Sequence, residues 1–461
     1  MRKVLSLLAL FVLALSASAQ NNTAYERQTP SCSYRVYLHD KDGNGYSLRH
    51  PEKFLSPKAL ERRAKFGLAV DQYDLPVSKK YLKKLSQAGF GIHCVSKWNN
   101  TAVVTSSLEN AAELLQALSF VDSVQLVYVT PDSLEVIQER DEIVPSSRRP
   151  HADSRYGYAT RQAEMIGADR MHEAGFIGDG ITIAVIDGGF HNADRIPGLD
   201  NVRILGTRNF VHPDRDVYLE GSHGMMVLSC IGSNKPGLQV GTAPGASFYL
   251  LLSEDGSSEF PIEEDNWCAA IEYADSLGCD IVTSSLGYTQ FDDKSMSHRY
   301  YELDGHTYIN SRSASLAASR GLVVLNSAGN SGNDRWKLIG APADAENMLA
   351  VGAVDPQEQN TLFSSLGNSA DGRIKPDVMA QGQHCSVFDT DGTIRYVAGT
   401  SFSCPILCGG VACLMQASPD ATPLEIIRAI RLSGDRADHP DNVFGYGIPD
   451  LWRAYEILHH K

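Results

Sequence analysis

The sequence predicts an α/β protein, a three-layer parallel sheet with helices on both faces, preceded by a small α+β domain. Three observations carry this expectation. From about Tyr156 onward, short continuous apolar runs alternate with amphipathic stretches, as expected of strands buried on both faces and joined by helices. Residues 33–132 follow a different rhythm of short strands and short helices. Between the two, residues 133–155 hold charge and the Pro145-Ser-Ser-Arg-Arg-Pro150 stretch without any period, which reads as an exposed linker. At 461 residues the chain is also too long for one core.

The elements follow in order. Residues 1–19 place Arg2 and Lys3 before an apolar run from Val4 to Leu15 and a small-residue end, Ala17-Ser-Ala19. That run is too short to span a bilayer and reads as a cleavable secretory signal. The mature chain is therefore expected outside the cytoplasm, periplasmic or secreted, with no membrane anchor. In residues 20–132, Tyr34–Leu38, Gly91–Val95, Ala102–Thr105 and Val124–Val129 read as strands. Ser56-Pro57 reads as the N-cap and first residue of a helix over Lys58–Phe66. Further helices are expected over Lys80–Ala88 and from Ser107 to Leu118. In residues 156–461 the apolar runs are Ile181–Ile186, Phe248–Leu252, Ile281–Ser285, Leu322–Leu325 and Met348–Val351. Helical segments are expected around 262–274, 311–320, 402–416, 423–433 and 450–459.

Charge divides unevenly. The formal net charge is −14, made of +2 on the signal, +2 on residues 20–150 and −18 on residues 151–461. So acidic a C-terminal part argues against nucleic-acid partners, because phosphates would be repelled. Solvated surface charge accounts for the acidity, with attraction to the near-neutral N-terminal unit as the second reading. The nine cysteines are an odd number, so at least one is unpaired. Cys404 and Cys408 read as buried core residues, and Cys32 with Cys94 is a pairing the sequence leaves open.

Three separated stretches carry the chemistry. Ala184-Val-Ile-Asp187-Gly-Gly ends an apolar run with a carboxylate, where strand ends gather ligands. Gly221-Ser-His223-Gly opens a helical stretch, with Ser222 expected as its N-cap and the helix dipole expected to keep His223 neutral. Gly399-Thr-Ser401-Phe-Ser-Cys-Pro405 places a serine hydroxyl at another helix start. Serine is a poor nucleophile until a histidine takes its proton, and the histidine needs a carboxylate to fix its tautomer. The chain order Asp, His, Ser, together with these contexts, resembles the subtilisin-like serine protease family. Gly178 and Gly180 precede the strand and lack a third spaced glycine, so nucleotide binding is rejected.

The resemblance implies catalytic roles for Asp187, His223 and Ser401. It implies an oxyanion hole from Asn330, in Asn326-Ser-Ala-Gly-Asn330, with the Ser401 N–H. It also implies a peptide-pairing segment at Ser284, Ser285, Leu286 and Gly287, and an N-terminal unit that acts as chaperone and inhibitor. Cys404 and Ile406 stand where the family has Ser and His, a departure confined to the packing helix. The expected activity is that of a secreted serine endopeptidase, made as a self-processing zymogen and acting on proteins or peptides. No cofactor is required, no catalytic metal is expected, and structural calcium is conceivable at Asp292, Asp293 and Asp304. A peptide-binding relative without activity and a secreted esterase are the rival readings.

Overall fold

The computed structural model describes residues 31–130, 140–144, 148–151 and 154–460, together with the backbone of a short antiparallel pairing of Tyr25–Arg27 with Leu134–Val136. The signal segment 1–19 lies outside the described residues.

The N-terminal unit builds β1 (Cys32–Leu38), α1 (Pro57–Lys65), α2 (Lys79–Gln87), β2 (Gly91–Ser96), β3 (Thr101–Ser106), α3 (Ala111–Gln116) and β4 (Val121–Val129). The strands form an antiparallel sheet in the order β2-β3-β1-β4. Ser56 caps α1 by accepting from Ala59 N, and Ser78 caps α2 from Tyr81 N, so both helices start where a hydroxyl meets an orphan N–H. Alternation along β1 sends Tyr34, Val36 and Leu38 into the unit's own core with Leu85 and Leu115. Arg35, between them, faces the other way and is buried against the C-terminal domain.

The C-terminal domain carries seven parallel strands: β5 (Thr182–Asp187), β6 (Arg203–Asn209), β7 (Ser247–Leu252), β8 (Ile281–Ser284), β9 (Val323–Ser327), β10 (Leu349–Val354) and β11 (Val378–Gln381). Their order is β11-β10-β9-β8-β5-β7-β6. The longer helices are α4 (His223–Gly232), α5 (Ile262–Leu277), α6 (Ile309–Ala317), α7 (Thr400–Ala417), α8 (Pro423–Ser433) and α9 (Leu451–His459), and two short ones, Thr160–Glu164 and Ala168–Glu173, precede β5. On β5, Ile183 and Val185 pack with α4 and α7, while Ala184 and Ile186 pack with α5 and α6, which gives the three expected layers. Successive strands leave β5 on both sides, so a crevice opens beyond its carboxyl end, where ligands of such sheets bind. The long apolar helix α7 is the central buried helix of this domain.

Four expectations change. β6 and β11 were not expected, nor was the hairpin of Cys385–Phe388 with Ile394–Val397. β6 is an edge strand whose residues alternate in exposure, so no continuous apolar run marks it. Cys32 and Cys94 lie on β1 and β2 with β3 between them, and all nine cysteines are free thiols. Finally, the acidic charge is not all solvated surface, because Asp265, Glu272 and Asp275 on α5 are buried beneath the N-terminal unit.

The linker is pinned at several points. Ile143 packs on the core of the C-terminal domain, and the Arg148 guanidinium lies over the rings of Tyr158 and Tyr396 at 4.9 and 5.0 Å.

Candidate active site

Asp187 ends β5 and is fully buried. A carboxylate in that position needs a partner, and His223 supplies one, its Nδ1 lying 2.6 Å from Asp187 Oδ1. The same Oδ1 accepts from Gly188 N at 2.8 Å. His223 is the first residue of α4, but Ser222 makes no side-chain cap, contrary to expectation. The expected bias toward neutrality is also reversed. Burial works against the imidazolium, yet the Asp187 carboxylate outweighs it and, with Glu254 adding, leaves the His223 pKa above its ordinary value.

Ser401 is the second residue of α7 and lies across the crevice. Its backbone is held by its surroundings rather than by the helix alone. Pro405 has no N–H to offer the Ser401 carbonyl, which instead accepts from Ser285 Oγ at 2.8 Å. Ser401 Oγ approaches the Ser285 carbonyl at 3.4 Å, and no hydrogen bond joins it to His223 among the described residues. The Phe402 ring packs 5.9 Å from the His223 ring and closes one side of the pocket.

Asn330 follows β9 in the loop facing the start of α7. Its Oδ1 accepts from both Thr400 N and Thr400 Oγ1 at 2.9 Å. With Oδ1 so engaged, Nδ2 is left as a donor beside Gly399. The four residues Asp187, His223, Ser401 and Asn330, drawn from four separate elements, thus surround one crevice.

The segment after β8 divides into two parts. Ser284 and Ser285 are buried, Ser284 Oγ accepting from Trp267 Nε1 at 2.9 Å. Gly287 is exposed, Leu286 is half-buried, and the Leu286 carbonyl is tied to Asn326 Nδ2 at 2.8 Å. The exposed backbone of this segment therefore lies at Gly287, while the two serines are buried beneath it. Sequence reasoning missed Glu254, two residues beyond β7. Its Oε1 accepts from Tyr288 Oη at 2.5 Å and from Ser253 Oγ at 2.8 Å, and only a Ser-Glu-Asp-Gly stretch at a strand end marked it.

The three carboxylates of the acidic insertion are each engaged by backbone N–H groups. Asp292 accepts from Glu259 N, Asp293 caps Ser295, and Asp304 caps His306 and Thr307. No group of three metal-ligating side chains gathers among the described residues.

Comparison with known proteins agrees with this architecture. Residues 178–447 match the Subtilase family (Peptidase_S8), and residues 33–142 match the Peptidase S8 propeptide domain, Bacteroidota. Subtilisin NAT of Bacillus subtilis subsp. natto is 31% identical over 288 residues, covering 61% of this chain and 67% of its own. Serine protease AprX of Bacillus subtilis (strain 168) is 28% identical over 304 residues, covering 59% and 65%. Among solved structures, the MycP3 protease from the type VII (ESX-3) secretion system superposes with a TM-score of 0.53 at 20% identity, over 69% of this chain and 93% of that one, which speaks to the fold. With the family match covering more than half its length, the chain belongs to the subtilase family and is a serine-type endopeptidase made with a propeptide.

Proposed function

We propose that Ser401 is the nucleophile, His223 the general base and acid, and Asp187 the residue that orients His223. The observation that carries this reading is the short Asp187–His223 contact facing Ser401 across the crevice at the carboxyl end of β5. Ser401 Oγ turns from its long contact with Ser285 to His223 Nε2 as a peptide enters, a tightening common to unliganded hydrolytic sites. It then attacks the carbonyl carbon, and His223 passes the proton to the leaving amine. The developing oxyanion is met by Asn330 Nδ2 and the Ser401 N–H at the start of α7. An extended substrate pairs with the backbone at Leu286 and Gly287. No step calls for a cofactor.

The finer reading is a secreted enzyme that removes its own N-terminal unit. The apolar segment at 1–19 supports export, and the intimate docking of residues 31–130 on α5 and α6 supports an intramolecular inhibitor. A serine-directed fluorophosphonate tests the site. Wild type is labelled at Ser401 and hydrolyses casein, and Ser401→Ala loses both. Hydrolysis by the purified Ser401→Ala protein would remove Ser401 from the mechanism.

A further inference from the structure

Beside the triad lies a group of carboxyls that the hydrolytic mechanism does not use. Glu254 is half-buried, and its chain neighbours the triad through Gly188. Glu263, in the first turn of α5, is almost fully buried; its Oε1 accepts from Asp255 N at 2.8 Å, and its Oε2 has no hydrogen-bond partner. Glu259 is held nearby, its own N–H donating to Asp292. Among the described residues no Lys, Arg or His pairs with Glu254, Glu259 or Glu263. A buried carboxyl without a cation is costly, and Glu254 and Glu259 both add to the cost at Glu263. Burial, with Asp292 and Glu264 adding, holds Glu259 at about 7. Burial also lifts Glu254 and Glu263, with Asp187 acting on Glu254 and Asp255 on Glu263, against the Tyr288 and Ser253 hydrogen bonds to Glu254.

The cluster adjoins the peptide-pairing segment, because Glu254 Oε1 accepts from Tyr288 Oη, the residue after Gly287. The nearest cation of the N-terminal unit, Arg35, is engaged with Asp265 and Glu264.

We propose that Glu254, Glu259 and Glu263 form a subsite, beside Leu286 and Gly287, for a Lys or Arg side chain of the substrate. The proposal rests on the triad assignment above and names the substrate class of that site. A guanidinium or ammonium entering the loop supplies the missing partner to Glu263 Oε2 and displaces the protons the cluster otherwise holds.

The test is hydrolysis of matched peptides by the mature enzyme, with arginine, the neutral isostere citrulline, or glutamate placed in turn at the second, third and fourth residues before the scissile bond. At one position arginine is expected to exceed citrulline in kcat/KM by about tenfold or more, as for other charge-assisted bonds. That ratio is expected to widen from pH 6 to 9, and to fall toward unity in both Glu254→Gln and Glu263→Gln. Because the ratio is taken within each variant, a general loss of activity cancels, and fluorophosphonate labelling reports folding. Equal rates for arginine and citrulline at all three positions would overturn the subsite while leaving the protease reading intact. So would a ratio that survives both substitutions, or a calcium-dependent rise in Tm lost in both variants with the ratio at unity. Failure of wild type to cleave any peptide or casein would instead fall on the triad reading.

Discussion

At Asn330 one amide group has its two ends assigned by its neighbours. Thr400 takes the oxygen twice, so the nitrogen is the end left facing the crevice. Replacing Asn330 by Leu removes that donor where water is excluded, and loss of one oxyanion donor costs about 2.7–4 kcal/mol of transition-state stabilisation. The expected outcome is a fall in kcat of about 10²–10³ with a small change in KM, measured on purified mature enzyme. Unchanged kcat would take Asn330 out of the mechanism. His223 gives the pH dependence. Only the neutral imidazole can accept the serine proton, and Asp187 holds the His223 pKa above its ordinary value against the effect of burial. Activity is therefore absent at low pH and rises through a midpoint above about 6.5. A kcat/KM profile with its acid midpoint at or below that value would contradict the raised pKa.

Helix α7 shows how an element rather than a residue aims the proposed nucleophile. A proline inside a helix frees the carbonyl four residues back, and here that carbonyl belongs to Ser401 itself. Ser285 fills the vacancy, linking the end of β8 to the start of α7. Ser285→Ala leaves a buried acceptor unpaired, at a cost of about 1–3 kcal/mol. We expect a lower Tm together with a lower kcat, whereas Tm and kcat both unchanged would show that the link does not hold Ser401. This coupling was half legible in sequence: Ser285 stood out as part of a peptide-pairing segment, yet its side chain braces the nucleophile instead. The same limit recurs elsewhere. β5, β7, β8, β9 and β10 were readable because strands buried on both faces are continuously apolar. β6 was not, because an edge strand with Arg203 and Arg208 turned outward carries no such run. The residues of the proposed triad stood out in sequence because each sits in a tight local context. The sign of the His223 shift was not, because it depends on Asp187 reaching it from another strand and outweighing the dipole.

Across the whole molecule, the two domains are joined by buried charge. Asp275 on α5 meets Arg62 and Arg63 from α1 and Lys97 from the turn after β2, with contacts between 2.5 and 3.1 Å. Ser96 Oγ and the Lys97 and Trp98 N–H groups close on the Glu272 carboxylate. Arg35 forks onto Asp265 with two bonds of 2.7 Å. Burial alone would raise the Asp275 pKa, but the three cations outweigh it and hold it at about 2. A carboxyl depressed by docking stabilises the docked state above its free pKa, and that contribution is lost as pH falls through the docked value. Acid near pH 2 to 4 should therefore loosen the propeptide. Asp275→Asn should do so at neutral pH, because it removes the carboxylate that three buried cations share, and breaking a buried pair costs about 3–5 kcal/mol. Tethering partly masks this, since the linker makes docking intramolecular. The measurement belongs in the full-length chain with Ser401→Ala, so that no cleavage intervenes. In that background we expect the propeptide to stay covalently attached and its β1–β4 amides to be protected from hydrogen exchange. Adding Asp275→Asn should raise exchange along β1 and β2 and on the face of α5 beneath them, leaving β5 and α7 unchanged. Equal protection in both proteins would show that the ion pairs contribute specificity rather than docking strength. Removal of the propeptide from the Ser401→Ala chain, in a host lacking other proteases, would show that maturation does not depend on the enzyme's own serine.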